Sequence, residues 1–271
     1  MTMDKRVVWG GAAVAVVVLG IAGWLFLGGE EAAPEPETAP VAEEPAPPPP
    51  VVKAPAEPLF PVEPPPPAPS EPPLPTLDQS DAALGAALAQ LLGMPSLPEY
   101  VYPDKMVRRV VVTVDNLPRR KVAAAMRPLA PVTGKFKVTG SDQRLAISPA
   151  NAARYGAYLN VMEATEVSKL VDTYLRFYPL FQQAYVELGY PNGYFNDRLI
   201  EAVDDMLDAP EVPAPVKLVQ PGVLYLYADP DLEALSAGQK IMVRMGAANG
   251  ARAKAWLRTL RDEVARRAAK P

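Results

Sequence analysis

The sequence contains no histidine and no cysteine in its 271 residues. The absence of histidine excludes nucleophile–imidazole pairs, imidazole metal ligands and a side chain that titrates near neutral pH. The absence of cysteine excludes disulfides, thiolate nucleophiles, iron–sulfur clusters and thiolate zinc sites. What remains is the chemistry of carboxylates, lysine, serine and tyrosine, or no catalysis at all. We therefore expect no cofactor.

Proline and charge divide the chain into two unlike parts. Nineteen of the 34 prolines lie within residues 30–76. Residues 1–76 carry a net charge of −7, whereas residues 77–271 carry +3. The overall charge of −4 is thus an average over two segments, of which the second is large enough to form a hydrophobic core.

An uncharged run of 21 residues extends from Val7 to Leu27. As a helix it would be about 31 Å long, close to the hydrocarbon thickness of a bilayer. Lys5 and Arg6 precede the run, and glutamates follow it from Glu30 onwards. The positive-inside rule then predicts that residues 1–6 are cytoplasmic and that everything after Leu27 lies on the other side of the membrane.

A cleaved signal peptide is the alternative interpretation of the same run. Its apolar core would usually span about 7–15 residues, and the run here is longer. No clear small-residue cleavage motif follows it. We therefore predict an uncleaved anchor over residues 7–27. Gly11 and Ala15 stand four residues apart, a spacing that would allow two such helices to associate weakly as a homodimer.

Residues 28–76 are rich in proline and glutamate. They include five Glu-Pro dipeptides and nine glutamates, with Lys53 as the one basic residue. Because proline fixes φ and lacks an amide donor, neither a helix nor a central strand is expected. We predict a disordered spacer of polyproline II character, reaching at most about 145 Å. The alternative is that this stretch serves as a proline-rich ligand for a partner domain.

Hydrophobic periodicity resumes at Leu77 and continues to the end of the chain. The patterns predict about eight helices and two short hairpins, the hairpins at 135–148 and 216–227. Ser80 and Pro103 mark expected helix starts, and Pro179 is expected to kink or split the longest helix. The predicted fold class for residues 77–271 is mainly α, an α+β domain with two small hairpins.

Four sequence stretches follow one another between residues 74 and 265: DQSDAALGAALAQLLG, VTVDNLPRRK, LVDTYLRFYPLFQQAYVELGYPNGYFNDRLIE and LVQPGVLYLYADPDLEALSAGQKIMVRMG. Together they resemble a bacterial domain-of-unknown-function family, the one numbered 3014. The resemblance implies a single-pass envelope protein of Gram-negative bacteria, with its domain in the periplasm. It implies no activity, ligand or catalytic residue.

The turn GYPNGYFNDRL is the best candidate for a binding site. It places Tyr190, Asn196, Asp197 and Arg198 around two glycines, and polar and aromatic groups on a turn often serve recognition. We expect this turn to be partly exposed. The alternative is structural: Asn196 or Asp197 would cap the following helix, and Arg198 would pair locally.

Two further clusters allow a functional and a structural interpretation. The first lies on one face of a predicted helix and consists of Tyr174, Tyr178, Phe181 and Tyr185. It would stack on sugars or pack in the core, and we favour packing. The second contains Glu201, Asp204, Asp205 and Asp208, which would hold a hard cation or form a solvated face. We favour the solvated face and predict no metal site.

Charge is unevenly distributed within the domain. Residues 187–211 carry a net charge of −6, and residues 233–270 carry +6. The two stretches would pair with each other or present opposite faces to partners. No nucleic acid partner is expected outside the cytoplasm.

These patterns favour a non-catalytic function. We expect a membrane-anchored periplasmic domain that binds an envelope protein or a cell-wall polymer. The alternative is a carboxylate-dependent cell-wall hydrolase, since two Asp or Glu side chains suffice for glycoside hydrolysis.

Overall fold

The computed structural model of the protein describes residues 57–63, 72–93, 101–120, 126–129, 135–141 and 144–268. The predicted membrane anchor at 7–27, most of the predicted linker and residues 121–125 lie outside these ranges. None of the helices in the described ranges is both long enough and apolar enough to cross a bilayer.

The described ranges form a mainly helical α+β domain with two hairpins, as predicted. In chain order the α-helices and strands are α1 (Asp81–Leu91), α2 (Met106–Asn116), β1 (Val138–Thr139), β2 (Ala146–Ile147), α3 (Ala152–Ala164), α4 (Val167–Glu187), α5 (Phe195–Leu207), β3 (Leu218–Val219), β4 (Leu226–Tyr227), α6 (Pro230–Ala234), α7 (Ala237–Arg244) and α8 (Ala247–Ala268). Short 3-10 helices at Leu77–Gln79 and Pro149–Asn151 precede α1 and α3.

The start of α2 is set by a contact with α1. The Asp81 carboxylate accepts hydrogen bonds from the backbone N–H groups of Lys105 and Met106, at 2.7 and 2.8 Å. Lys105 adopts a left-handed φ of 54°, so the helix begins at Met106 and not at Pro103, the predicted start. Ser80 occupies the expected N-cap position of α1, but its hydroxyl donates to the Leu77 carbonyl at 2.7 Å.

The helix α4 is continuous through Pro179, so the split that the sequence predicts as one of two outcomes does not occur. A proline inside a helix costs about 3 kcal/mol. On both sides of it, Phe177, Tyr178, Leu180 and Phe181 are buried, and burying each such side chain contributes about 1.5–3 kcal/mol. Tertiary packing therefore outweighs the local cost of Pro179.

The main core lies between the helices. Here α2 packs against α4 and α5, and α8 packs against α3, α4 and α5. The valines of α2 would also suit a strand, but Val107, Val110, Val111 and Val114 are all buried at helical spacing. Their burial on one helical face decides between the two structures.

The two hairpins lie side by side. Val138 pairs with Ile147 in the first, and Leu218 pairs with Tyr227 in the second. A bridge between Ala146 and Lys217 joins the hairpins, a contact that the sequence does not predict. A second, smaller core beneath them includes buried Leu218, Tyr227 and Val243.

Residues 57–63 belong to the stretch predicted as a disordered linker, yet they lie against the domain. Phe60 and Val62 pack against the main core. Residue exposure alternates along the segment: the half-buried residues are Pro58, Phe60 and Val62, and the exposed residues are Glu57, Leu59, Pro61 and Glu63. The prolines exclude regular secondary structure, as expected, but they do not prevent an irregular segment from docking.

Candidate functional site

The four predicted site residues serve two separate arrangements. Tyr190 and Arg198 converge on Asp115 in α2. Asn196 and Asp197 instead bind residues 57–63, which we call the docked segment. Their contacts are with the backbone of Leu59 and Phe60.

The turn that carries these residues is fixed by Gln182 in α4. The Gln182 side chain donates to the Gly193 carbonyl at 2.7 Å and accepts from the Phe195 N–H at 2.8 Å. Gly189 has a φ of +117°, which a residue with a side chain rarely adopts. Phe195 is fully buried and stacks on Phe181 with ring centroids 5.6 Å apart. The first turn of α5 is therefore held rigidly on α4.

Asn196 is fully buried, with 0% of its surface exposed. Its Oδ1 accepts a hydrogen bond from the Tyr174 hydroxyl at 2.9 Å, and its Nδ2 donates to the Phe60 carbonyl at 3.0 Å. The expected exposure of the turn is therefore wrong for Asn196. Neither Asn196 nor Asp197 caps α5, because Tyr194 is the N-cap residue and makes no side-chain cap.

Asp197 holds two successive backbone N–H groups of the docked segment. Its Oδ2 accepts from Leu59 at 3.0 Å, and its Oδ1 accepts from Phe60 at 2.8 Å. Hydrogen bonds to a carboxylate are roughly twice as strong as those between neutral groups. The first turn of a helix also stabilises a negative charge. We call Asn196 and Asp197 together the backbone clamp.

Asp115 is the centre of the second arrangement. The Arg198 Nε lies 3.2 Å from its Oδ1, the Arg119 Nη2 lies 3.1 Å from the same oxygen, and the Tyr190 hydroxyl donates to its Oδ2 at 3.2 Å. Arg198 also donates to the Asp115 carbonyl and pairs with Glu201. These partners satisfy a carboxylate that is almost fully buried.

Asp115 was not among the candidates from the sequence, although a signal for it exists. It stands four residues after Val111 and eight after Val107, so it continues the apolar stripe of α2. An acid in such a stripe must be paired when the helix packs.

The aromatic face of α4 serves core packing, as favoured from the sequence. Tyr178, Phe181 and Tyr185 are buried, and Tyr185 stacks on Tyr190 with centroids 4.5 Å apart. Burial raises the pKa of Tyr178 and that of Tyr185 to about 12. The rings are covered by protein, so they offer no open stacking surface for a sugar.

The acidic residues of α5 bind within the domain. Asp204 pairs with Arg261 at 2.7 Å, which joins the acidic stretch to the basic one. The Asp205 Oδ2 accepts from the Ser236 hydroxyl at 2.6 Å, and burial raises the pKa of Asp205. Within the described part of the chain, no group of three or more acids could hold a metal ion.

A family model described as "Protein of unknown function (DUF3014)" matches residues 106–261. The chain belongs to this family. The DUF3014 match includes both the backbone clamp and Asp115, whereas the docked segment 57–63 lies outside it. No curated protein and no solved structure matches the chain.

The geometry of the clamp allows recognition of peptide backbone. Three polar groups of two successive residues, Leu59 and Phe60, are bound by two side chains of one helical turn. Main-chain hydrogen bonds of this kind give affinity that does not depend on side-chain identity, and neighbouring apolar contacts add selectivity.

Proposed function

We propose that the protein is a membrane-anchored domain of the cell envelope that binds a protein partner and does not catalyse a reaction. The observation that carries the proposal is the backbone clamp, in which Asn196 and Asp197 hold a segment from about 137 residues earlier in the chain. A surface that binds an irregular segment through its main chain is suited to peptide recognition.

The sequence supports the location. The apolar run at 7–27 is long enough to anchor the chain, and the charges around it favour a cytoplasmic amino terminus and a periplasmic domain. Because residues 57–63 lie against the domain, residues 28–56 separate the predicted anchor from the docked segment, and 29 residues of polyproline II would reach at most about 90 Å. The domain would therefore act within a limited distance of the inner membrane.

The proposal is tested by site-specific photo-crosslinking in cells. A crosslinkable residue replaces Glu201, which lies one turn after Asp197 on α5. In the matched control, the same residue replaces Glu163 on α3. Both glutamates are exposed, and each pairs with one arginine. We expect a defined protein adduct from position 201 that is absent from position 163.

Two results would contradict the proposal. Identical adduct patterns at both positions would indicate non-specific collision, and no adduct at position 201 would remove the evidence for a protein partner. A reporter fused after Pro271 tests the location, since we expect it to be active only outside the cytoplasm.

A further inference from the structure

We infer that the backbone clamp is part of a peptide-binding site for segments of the pattern Pro-x-Phe-x-Val, and that residues 57–63 are its resident intramolecular ligand. A segment of the same pattern from another protein would compete with the resident one. The inference rests on the proposed function and specifies the ligand and its regulation.

The pattern follows from which groups the domain contacts. The clamp binds the N–H groups of Leu59 and Phe60 and the carbonyl of Phe60. The Leu59 side chain is 80% exposed, so this position accepts any residue that has a backbone N–H. Phe60 and Val62 pack against the core, so these two positions require apolar side chains.

The prolines of the segment fit the same arrangement. Pro61 follows Phe60 and has no N–H group, so the segment has no further donor at this position that would stay unpaired next to the clamp. Pro58 and Pro61 also fix φ at two positions, which reduces the conformational entropy lost on docking. A proline-rich segment is therefore a suitable ligand for this site, although it cannot form a helix or a central strand.

The resident segment is held weakly enough to be displaced. Three hydrogen bonds and two partly buried side chains are opposed by the ordering of seven residues, and these contributions are of similar size. Covalent connection to the domain compensates, because a short linker gives an effective concentration in the millimolar range. A competing segment must exceed that effective concentration or bind more tightly.

The segment also lies outside the residues that match the family model, whereas the clamp lies inside them. The family match therefore covers the site but not the segment that occupies it.

The experiment uses the full chain in detergent and a fluorescent synthetic peptide of residues 56–64. Peptide binding is measured by fluorescence anisotropy for the wild type and for Phe60→Asp, a substitution that opposes docking of the resident segment. We expect Phe60→Asp to bind the peptide at least about tenfold more tightly than the wild type, because the resident competitor is removed. Melting temperatures establish that both chains are folded.

Two further variants test the clamp itself. In the Phe60→Asp background, Asp197→Asn replaces one of the two acceptors by a donor, and we expect a loss of at least about tenfold in peptide affinity. Glu201→Gln is the matched control on the same helix and should bind like its parent. A peptide in which the Phe60 position is serine should not bind.

A second measurement does not depend on any substitution. Hydrogen exchange at the Leu59 and Phe60 amides of the wild type should be slow, and excess peptide should accelerate it. Equal peptide affinity of wild type and Phe60→Asp would overturn the resident-ligand inference, while peptide recognition would stand. No binding to Phe60→Asp would overturn the ligand pattern. Neither result would decide the proposed function, which is tested by the crosslinks at position 201.

Discussion

The carboxylate of Asp115 and the guanidinium of Arg198 meet at 3.2 Å, although 83 residues separate them in the sequence. The Asp115 side chain is 7% exposed, and that of Arg198 is 13% exposed. Two other groups, from Arg119 and Tyr190, bind the same carboxylate. The pair therefore joins α2 to the first turn of α5 and fixes the position from which the clamp projects.

Asp115→Ala should strongly destabilise the domain. The substitution removes the carboxylate that pairs with the nearly buried guanidinium of Arg198 and accepts from the Tyr190 hydroxyl. Breaking a buried ion pair by removing one partner costs about 3–5 kcal/mol in the free energy of unfolding. Glu166→Ala is the matched control, because it breaks an exposed pair with Lys169 on α4, and such pairs contribute little. Urea unfolding of both variants checks the prediction. Similar unfolding free energies for the two variants would show that Asp115 is not essential for packing.

Gly238→Ala should also destabilise the domain, because α7 approaches α5 closely at this residue. An added Cβ would lie 2.8 Å from the Met206 Cγ and 3.1 Å from the Asp205 Oδ2. Overpacking of this kind typically costs about 1–3 kcal/mol. The control is Gly85→Ala in α1, where a Cβ would meet nothing within 4 Å. Alanine there should stabilise the helix by about 0.5–1 kcal/mol. Thermal unfolding should therefore shift in opposite directions.

Local signals in the sequence are sufficient to predict several element boundaries. Ser148, followed by Pro149, starts a helical segment, and its hydroxyl accepts from the Ala150 N–H. Ser236 caps α7 through a capping box with Gln239. The same type of signal, Asp229 followed by a proline, marks the short helix α6, which was not predicted. These features depend on residues within one turn of each other, so the sequence shows them directly.

The boundaries and sites that were missed depend on residues far apart in sequence. Asp81 sets the start of α2 from 24 residues away, and Asp197 binds Phe60 from 137 residues away. Hydrophobic periodicity indicates which face is buried, but it does not indicate which polar groups will meet across elements. For this reason the candidate turn was found, whereas its partners and the burial of Asn196 were not.

Alkaline pH should weaken the fold through the buried tyrosines. Burial raises the pKa of Tyr178 and that of Tyr185 to about 12, above the ordinary value of about 10. Because the unfolded state then releases these protons at lower pH, the free energy of unfolding should be at its full value below pH 10. It should fall between pH 10 and about 12. Urea unfolding at several pH values, with tyrosinate absorbance followed in parallel, checks this.

Tyr178→Phe provides the control for that titration. It removes the hydroxyl that donates to Gln182 at 3.1 Å, so the variant should be slightly less stable at neutral pH. Its stability should decline less steeply above pH 10, since one titrating group is missing. An unchanged slope would show that Tyr178 does not contribute to alkaline unfolding.

Substitutions at Tyr174 and Asn196 should have non-additive effects on the free energy of unfolding, but only those at Asn196 should loosen the docked segment. Tyr174→Phe leaves the buried Asn196 Oδ1 without its donor, which should cost about 1–3 kcal/mol. Asn196→Ala removes that contact and also the bond to the Phe60 carbonyl. The double variant should be less destabilised than the sum of the two single variants, because both break the same hydrogen bond.

Hydrogen exchange at Phe60 distinguishes the two roles of Asn196. Asn196→Ala removes one of the contacts that hold the segment, so the Phe60 amide should exchange faster. Tyr174→Phe leaves the Asn196 Nδ2 in place, so exchange at Phe60 should stay close to the wild-type rate. Equal acceleration in both variants would mean that the Tyr174 hydroxyl orients the clamp, and that the clamp amide does not act independently of α4. Slow exchange in both would mean that Asp197 alone retains the segment.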